Sequence, residues 1–133
     1  MNVILNNQEL DYSKVHIVLE AGPTHTGIET AKALVDQAVL AGADSIKFQT
    51  VDTDRLMADK SVKFDYSYLT VDQNNKDQFI PVEESLYEIL KRRELTKNEW
   101  KDLKRYCDEK KMHMFTTACF EDEVDFLVDE LKI

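Results

Sequence analysis

The chain has 133 residues, a length that suits one domain and can bury a core. Its 43% hydrophobic and 32% charged content excludes a disordered chain, and no apolar run is long enough to span a bilayer. The formal net charge of -9 disfavours nonspecific nucleic-acid binding, which needs basic patches, yet leaves room for a small anion held by a local positive group. The N-terminus lacks the basic-then-apolar pattern of a secretory signal. Cys107 and Cys119 are too few for a disulfide framework and lack metal-site spacing, so a reducing, cytoplasmic setting is expected.

In chain order, Val15–Glu20 reads as a first strand, and Ala21-Gly22-Pro23-Thr24-His25 as a turn. Thr26 to Glu29 has the spacing of a capping box. The helix after it places Ile28, Ala31, Leu34, Val35 and Ala38 on one stripe, and Gly42 suits a left-handed end. Ser45–Thr50 is a second strand. From 51 to 82 the periodicity dissolves into a long polar loop, of a length that is usually functional or mobile. Helical spacing returns over 83–93, with Leu86, Ile89 and Leu90 on one side. Thr96 to Glu99 is a second capping box, opening a helix that buries Trp100, Leu103 and Cys107. His113–Ala118 is a third strand, and Val124, Leu127, Val128 and Leu131 form the core stripe of a last helix. Strands alternating with helices imply an α/β fold with a parallel sheet and right-handed crossovers. Three strands do not close a barrel, so the architecture reads as incomplete.

The polar groups at the strand ends carry the chemistry. Ile46 and Phe48 share one face of their strand, while Lys47 and Gln49 share the other. Packing explains the first face and not the second. Glu20 closes the first strand, and Thr116 and Thr117 the third. In a parallel sheet these ends lie on one edge, where α/β sheets and barrels place ligands. There Lys47 would hold a carboxylate or phosphate as a point charge, with Thr117 and nearby amides on the same anion. Glu20 would accept from a sugar-like hydroxyl or handle a proton, and Gln49 would orient a polar substrate. Each also has a bland reading: a solvated strand end for Glu20, a snorkelling stem for Lys47, loop hydrogen bonds for Gln49 and Thr117. His25 is either a turn residue or a ligand, whereas His16 and His113 read as packed within strands.

Two segments carry a family resemblance. Leu19-Glu20-Ala21-Gly22-Pro23-Thr24-His25-Thr26-Gly27 resembles the E-x-G-x-x-H-x-G segment of the sialic acid (N-acetylneuraminate) synthase family. Ala41-Gly42-Ala43-Asp44-Ser45-Ile46-Lys47-Phe48-Gln49-Thr50 closely resembles its A-G-A-D-x-x-K-F-Q-T segment. Glu84–Leu90, Leu103–Cys107 and Phe115–Thr117 follow in the family's order. The resemblance implies a TIM barrel, of which residues 1–133 would be the N-terminal portion, about three strand-helix units, without the family's C-terminal antifreeze-like domain. It also implies condensation of phosphoenolpyruvate with an N-acetylated hexosamine such as N-acetylmannosamine, giving a nine-carbon 2-keto sugar acid and phosphate. Lys47 and Thr117 would then contact phosphoenolpyruvate, and Glu20, the catalytic candidate, and Gln49 would lie near the sugar. The family's divalent metal, manganese or magnesium, would find no ligands here, since its histidines come from later strands. Where many members have Ser-Thr-Pro-Phe, this chain has Thr117-Ala118-Cys119-Phe120, so a hydroxyl is missing at Ala118.

On this reading the chain alone is inactive and occurs as a homo-oligomer or pairs with a complementary barrel portion. Two rivals remain at this stage. One is an aldolase in which Lys47 forms a Schiff base with a keto substrate. The other is a non-catalytic half-barrel that serves as a binding or assembly module.

Overall fold

Ile46 and Phe48 are fully buried, and the main sheet is built around the strand that carries them. The computed structural model describes Ile4–Leu5, Gln8–Glu9, Asp11 and residues 13–133. In chain order its elements are β1 (Ile4–Leu5), β2 (Gln8–Glu9), β3 (Val18–Gly22), α1 (Ile28–Leu40), β4 (Ser45–Gln49) and α2 (Thr53–Leu56). They continue with β5 (Lys63–Val71), β6 (Asp77–Ser85), α3 (Leu86–Lys91), α4 (Lys97–Glu109), β7 (His113–Thr117), α5 (Glu121–Asp125) and a π-helical turn, Phe126–Glu130. They fall into two compact units, one formed by Met1–Val51 with Arg93–Ile133, the other by Asp52–Arg92.

In the first unit β3, β4 and β7 form a parallel sheet with β4 in the middle. The expected α/β class and parallel pairing are therefore present. Glu20 pairs with Lys47 and Lys47 with Phe115; two residues on, Gln49 pairs with Thr117. Helices α1 and α4 cover one face: Ala31, Val35, Ala38, Trp100, Leu103 and Cys107 pack on Ile46, Phe48 and Met114. Burial pushes the Cys107 thiol up to about 12, so it behaves as a small hydrophobe. Phe48 and Trp100 meet edge to face with ring centroids 6.2 Å apart. The apolar stripes read from α1 and α4 are thus the ones the core uses.

Four local expectations are corrected. The first strand starts at Val18 and runs through Gly22, past the expected turn. Gly22, at φ +51°, lets the chain slip by one residue and still pair with Phe48. Residues before Val18 stay outside the ladder: Ile17 N–H donates to the Asp44 carboxylate at 2.7 Å, and the Ile17 carbonyl accepts from Asp44 and Ser45 N–H. The Thr26–Glu29 capping box does not form. The Thr30 hydroxyl accepts from Thr26 N–H at 2.8 Å and donates to the Gly27 carbonyl, leaving Gly27 as an N-cap without side-chain help. The Thr96–Glu99 box does form. In the last helix, the wider π turn closes on Leu131 N–H to Phe126 carbonyl at 3.1 Å. That brings Phe126 to the core with Leu127 and Leu131, and leaves Val124 and Val128 exposed.

The fourth correction is the second unit. Residues 51–82, read as a long polar loop, contain α2 and most of a nine-residue antiparallel ribbon, β5 with β6. Its turn is local chemistry: Asp72 Oδ1 accepts from Asn74 and Lys76 N–H at 2.7 and 2.9 Å, and Asn75 takes φ +62°. One ribbon face carries Phe64, Tyr66 and Tyr68 opposite Glu84, Val82 and Ile80. Tyr66 donates to Glu84 at 2.6 Å, and Arg92 grips the same carboxylate through two nitrogens. Among the described residues no helix is long and apolar enough to cross a membrane.

Candidate functional site

The sheet direction places the C-terminal ends of β3, β4 and β7 on one edge. Alternation along β4 sends Ile46 and Phe48 into the helix-covered core, and so turns Lys47 and Gln49 to the opposite face. Lys47 Nζ donates to Glu20 Oε2 at 2.8 Å, across the Glu20–Lys47 register. The pair is open: the side chains are 31% and 56% exposed. Such pairs contribute about 0–1 kcal/mol, so an incoming anion can take Lys47 from Glu20 at small cost.

Gln49 and Thr117 occupy the next row, one strand pair apart. Gln49 is half-buried and its Nε2 approaches Cys119 Sγ at 3.9 Å, a weak contact. Thr117 is exposed, and its carbonyl accepts from Thr50 N–H and Oγ1 at 3.1 and 2.9 Å. The sheet therefore brings Glu20 to Lys47 and Gln49 to Thr117 in two neighbouring rows.

The histidines go elsewhere. His25 is 1% exposed, edge-to-face on Phe48 at 6.0 Å, on the core side of β4. His16 Nε2 lies 2.5 Å from Ser45 Oγ, and His113 stacks on Phe115, both toward the start of the strands. Among the described residues no three His, Cys, Asp or Glu side chains gather as a metal would require. Glu20, the carboxylate of the Lys47 row, is already engaged by that lysine. The described residues do not by themselves fit a divalent ion.

Sequence reasoning passed over Glu123, read only as part of a charged helix start. Its Oε2 accepts from Cys119 N–H at 2.6 Å, Phe120 N–H at 3.2 Å and Thr50 Oγ1 at 2.9 Å. The signal was its position three residues after Phe120, the reach of a capping-box glutamate.

The NeuB family model matches residues 34–133. The N,N'-diacetyllegionaminic acid synthase of Legionella pneumophila is 33% identical over 113 residues, which are 84% of this chain and 29% of that protein. The spore coat polysaccharide biosynthesis protein SpsE of Bacillus subtilis is 33% identical over 114 residues, 85% of this chain and 27% of that one. Its crystal structure superposes with a TM-score of 0.62 at 27% identity, covering 97% of this chain and 31% of its own. The N-acetylneuraminic acid synthetase structure from Leptospira borgpetersenii, with citrate, gives 0.71 at 21% identity, covering 100% and 39% respectively, a likeness of fold. The chain thus spans about a third of the length of the proteins it matches. With the family model covering its last hundred residues and the A-G-A-D-x-x-K-F-Q-T strand at its centre, the chain belongs to the NeuB family.

Proposed function

We propose that the chain supplies part of the active site of a synthase that condenses phosphoenolpyruvate with an N-acetylated hexosamine, such as N-acetylmannosamine. A bond forms between C3 of phosphoenolpyruvate and the sugar's carbonyl carbon, water adds at C2, and phosphate leaves. The product is a nine-carbon 2-keto sugar acid. The observation that carries this reading is the Lys47–Glu20 pair on the open strand edge, with Gln49 and Thr117 in the adjoining row. Lys47 is the point charge for the phosphoenolpyruvate anion, and Thr117 lies in the segment that supplies contacts to its phosphate. Glu20, freed when the anion takes Lys47, accepts a sugar hydroxyl or holds a proton, and Gln49 orients the sugar. Family membership and two relatives named for sugar-acid and polysaccharide synthesis support the choice of class.

The divalent ion that the resemblance implies belongs, on this reading, to residues outside the 133, and so does turnover. Both cysteines are free thiols, in keeping with a reducing cytoplasm. The Schiff-base alternative is less well supported. A lysine nucleophile is activated by desolvation or a neighbouring cation, whereas Lys47 is 31% exposed beside a carboxylate.

The test is phosphoenolpyruvate binding to the 133-residue chain, followed by NMR. Lys47→Met should weaken it at least about tenfold, the worth of one charge-assisted contact, while Gln49→Ala leaves it within about threefold. Equal binding by wild type and Lys47→Met removes the reading. Condensation by the chain alone, with manganese or magnesium supplied, removes the claim that turnover needs more polypeptide.

A further inference from the structure

We infer that Glu123 is a positioning residue for the candidate site, holding the ends of β4 and β7 in one register. This rests on the reading of that edge as the substrate site. Glu123 Oε2 is a single acceptor shared by groups from two separate strand ends. Thr50 Oγ1, one residue past Gln49, lies 2.9 Å from it. Cys119 N–H, two residues past Thr117, lies at 2.6 Å, and Phe120 N–H at 3.2 Å. Thr50 closes the ring by donating its N–H to the Thr117 carbonyl at 3.1 Å. Cys119 Sγ completes it, 3.7 Å from the Thr50 carbonyl and 3.9 Å from Gln49 Nε2.

An ordinary cap explains only part of this. A capping-box glutamate reaches back to the N-cap N–H, which is Phe120 here, and a phenylalanine side chain returns no bond. α5 runs straight on into the π turn, and of these bonds only the one from Phe120 N–H caps that helix. Thr50 lies 73 residues away in sequence, and Cys119 precedes the helix. The hydroxyl of Thr50, 5% exposed, shares its one proton between the Thr117 carbonyl and Glu123. A carboxylate that gathers a backbone pair and a buried hydroxyl across two strands acts as a clamp. What it clamps are the backbone segments that aim the Gln49 amide and the Thr117 hydroxyl.

Three readouts separate this from a purely structural role. The first is the alkylation rate of Cys119 under native conditions, resolved from the buried Cys107 by mass spectrometry. The second is the affinity for phosphoenolpyruvate. The third is thermal stability, with Thr96→Ala, a cap on α4 that bonds none of these groups, as control. Glu123→Ala should speed Cys119 alkylation and weaken phosphoenolpyruvate each about tenfold, the effect of one lost charge-assisted bond. Glu123→Gln, which keeps an acceptor oxygen, should recover most of both. Thr96→Ala should lower stability and change neither. If Glu123→Ala only lowers stability as Thr96→Ala does, the clamp is overturned. If wild type binds no phosphoenolpyruvate, the proposed function falls, and the alkylation rate alone decides: raised supports the clamp, unchanged overturns it.

Discussion

His25 lies in the loop between β3 and α1 with 1% of its surface exposed, and neither ring nitrogen has a hydrogen-bond partner among the described residues. Burial holds its pKa below the usual histidine value; the Arg93 charge adds to this, and Glu99 opposes it. The neutral ring is therefore the form the fold accepts. The unfolded chain takes up a proton near pH 6.5, before the folded one does. Stability from this residue is thus fully present above pH 6.5 and is lost as pH falls toward the depressed folded value. His113 adds to the same slope, its pKa lowered by burial and by His16 and Lys104, with Asp108 opposing. Replacing His25 with Phe keeps the ring on Phe48 and removes both orphaned nitrogens. Urea titrations at pH 7.5 and 5 should show a smaller loss of stability for His25→Phe than for wild type. Parallel losses in the two proteins would place the pH sensitivity elsewhere.

At the scale of elements, α4 is the helix whose sequence carries its own start and its own face. Thr96 accepts from Glu99 N–H at 3.2 Å, and Glu99 answers the Thr96 N–H at 2.8 Å. Trp100, Leu103 and Cys107 then fall at helical spacing onto the sheet. Thr96→Ala should cost about 1 kcal/mol, read by urea unfolding through Trp100 fluorescence. A change below about 0.3 kcal/mol would mean that tertiary packing, not the cap, holds the first turn. This helix was legible because cap, period and burial agree. The same holds for β4, whose alternation separates Ile46 and Phe48 from Lys47 and Gln49. Where two local solutions compete, the sequence misleads. Thr26 and Thr30 both offer a hydroxyl near the start of α1, and the one that bonds is not the one at capping-box spacing. The ribbon hid behind its own exposure. Its first strand alternates, Phe64, Tyr66 and Tyr68 against Asp65 and Ser67, but Leu69 breaks the pattern and β6 mixes polar and apolar residues on both faces. The π turn cannot be read from periodicity at all, because it changes the period itself. At the candidate site, the pairing of Glu20 with Lys47 and of Gln49 with Thr117 was legible from parallel strands and their alternation. Glu123 was not, because its Thr50 bond spans 73 residues.

For the molecule as a whole, the balance lies between open apolar surface and net charge. Among the described residues β3 and β7 each pair only with β4, so each has one edge without a neighbour in the sheet. Apolar side chains are exposed along and before the first edge, Val15, Ile17 and Val18, and on α5 and its π turn, Val124 and Val128. Unpaired strand edges beside exposed apolar groups favour association with another chain. A formal charge of -9 opposes it, since two copies repel. The two terms respond differently to salt. Screening shortens from about 10 Å at 0.1 M to about 3 Å at 1 M, which weakens the repulsion and leaves apolar contacts intact. Sedimentation velocity should therefore show the chain associating with itself at tens of micromolar, and more so at 0.5 M than at 0.05 M sodium chloride. Less association at high salt would mean that ion pairs, not these edges, make the contact. A monomer at every salt and concentration would mean that the edges are protected within one chain, and would remove the reason to expect a partner that completes the sheet.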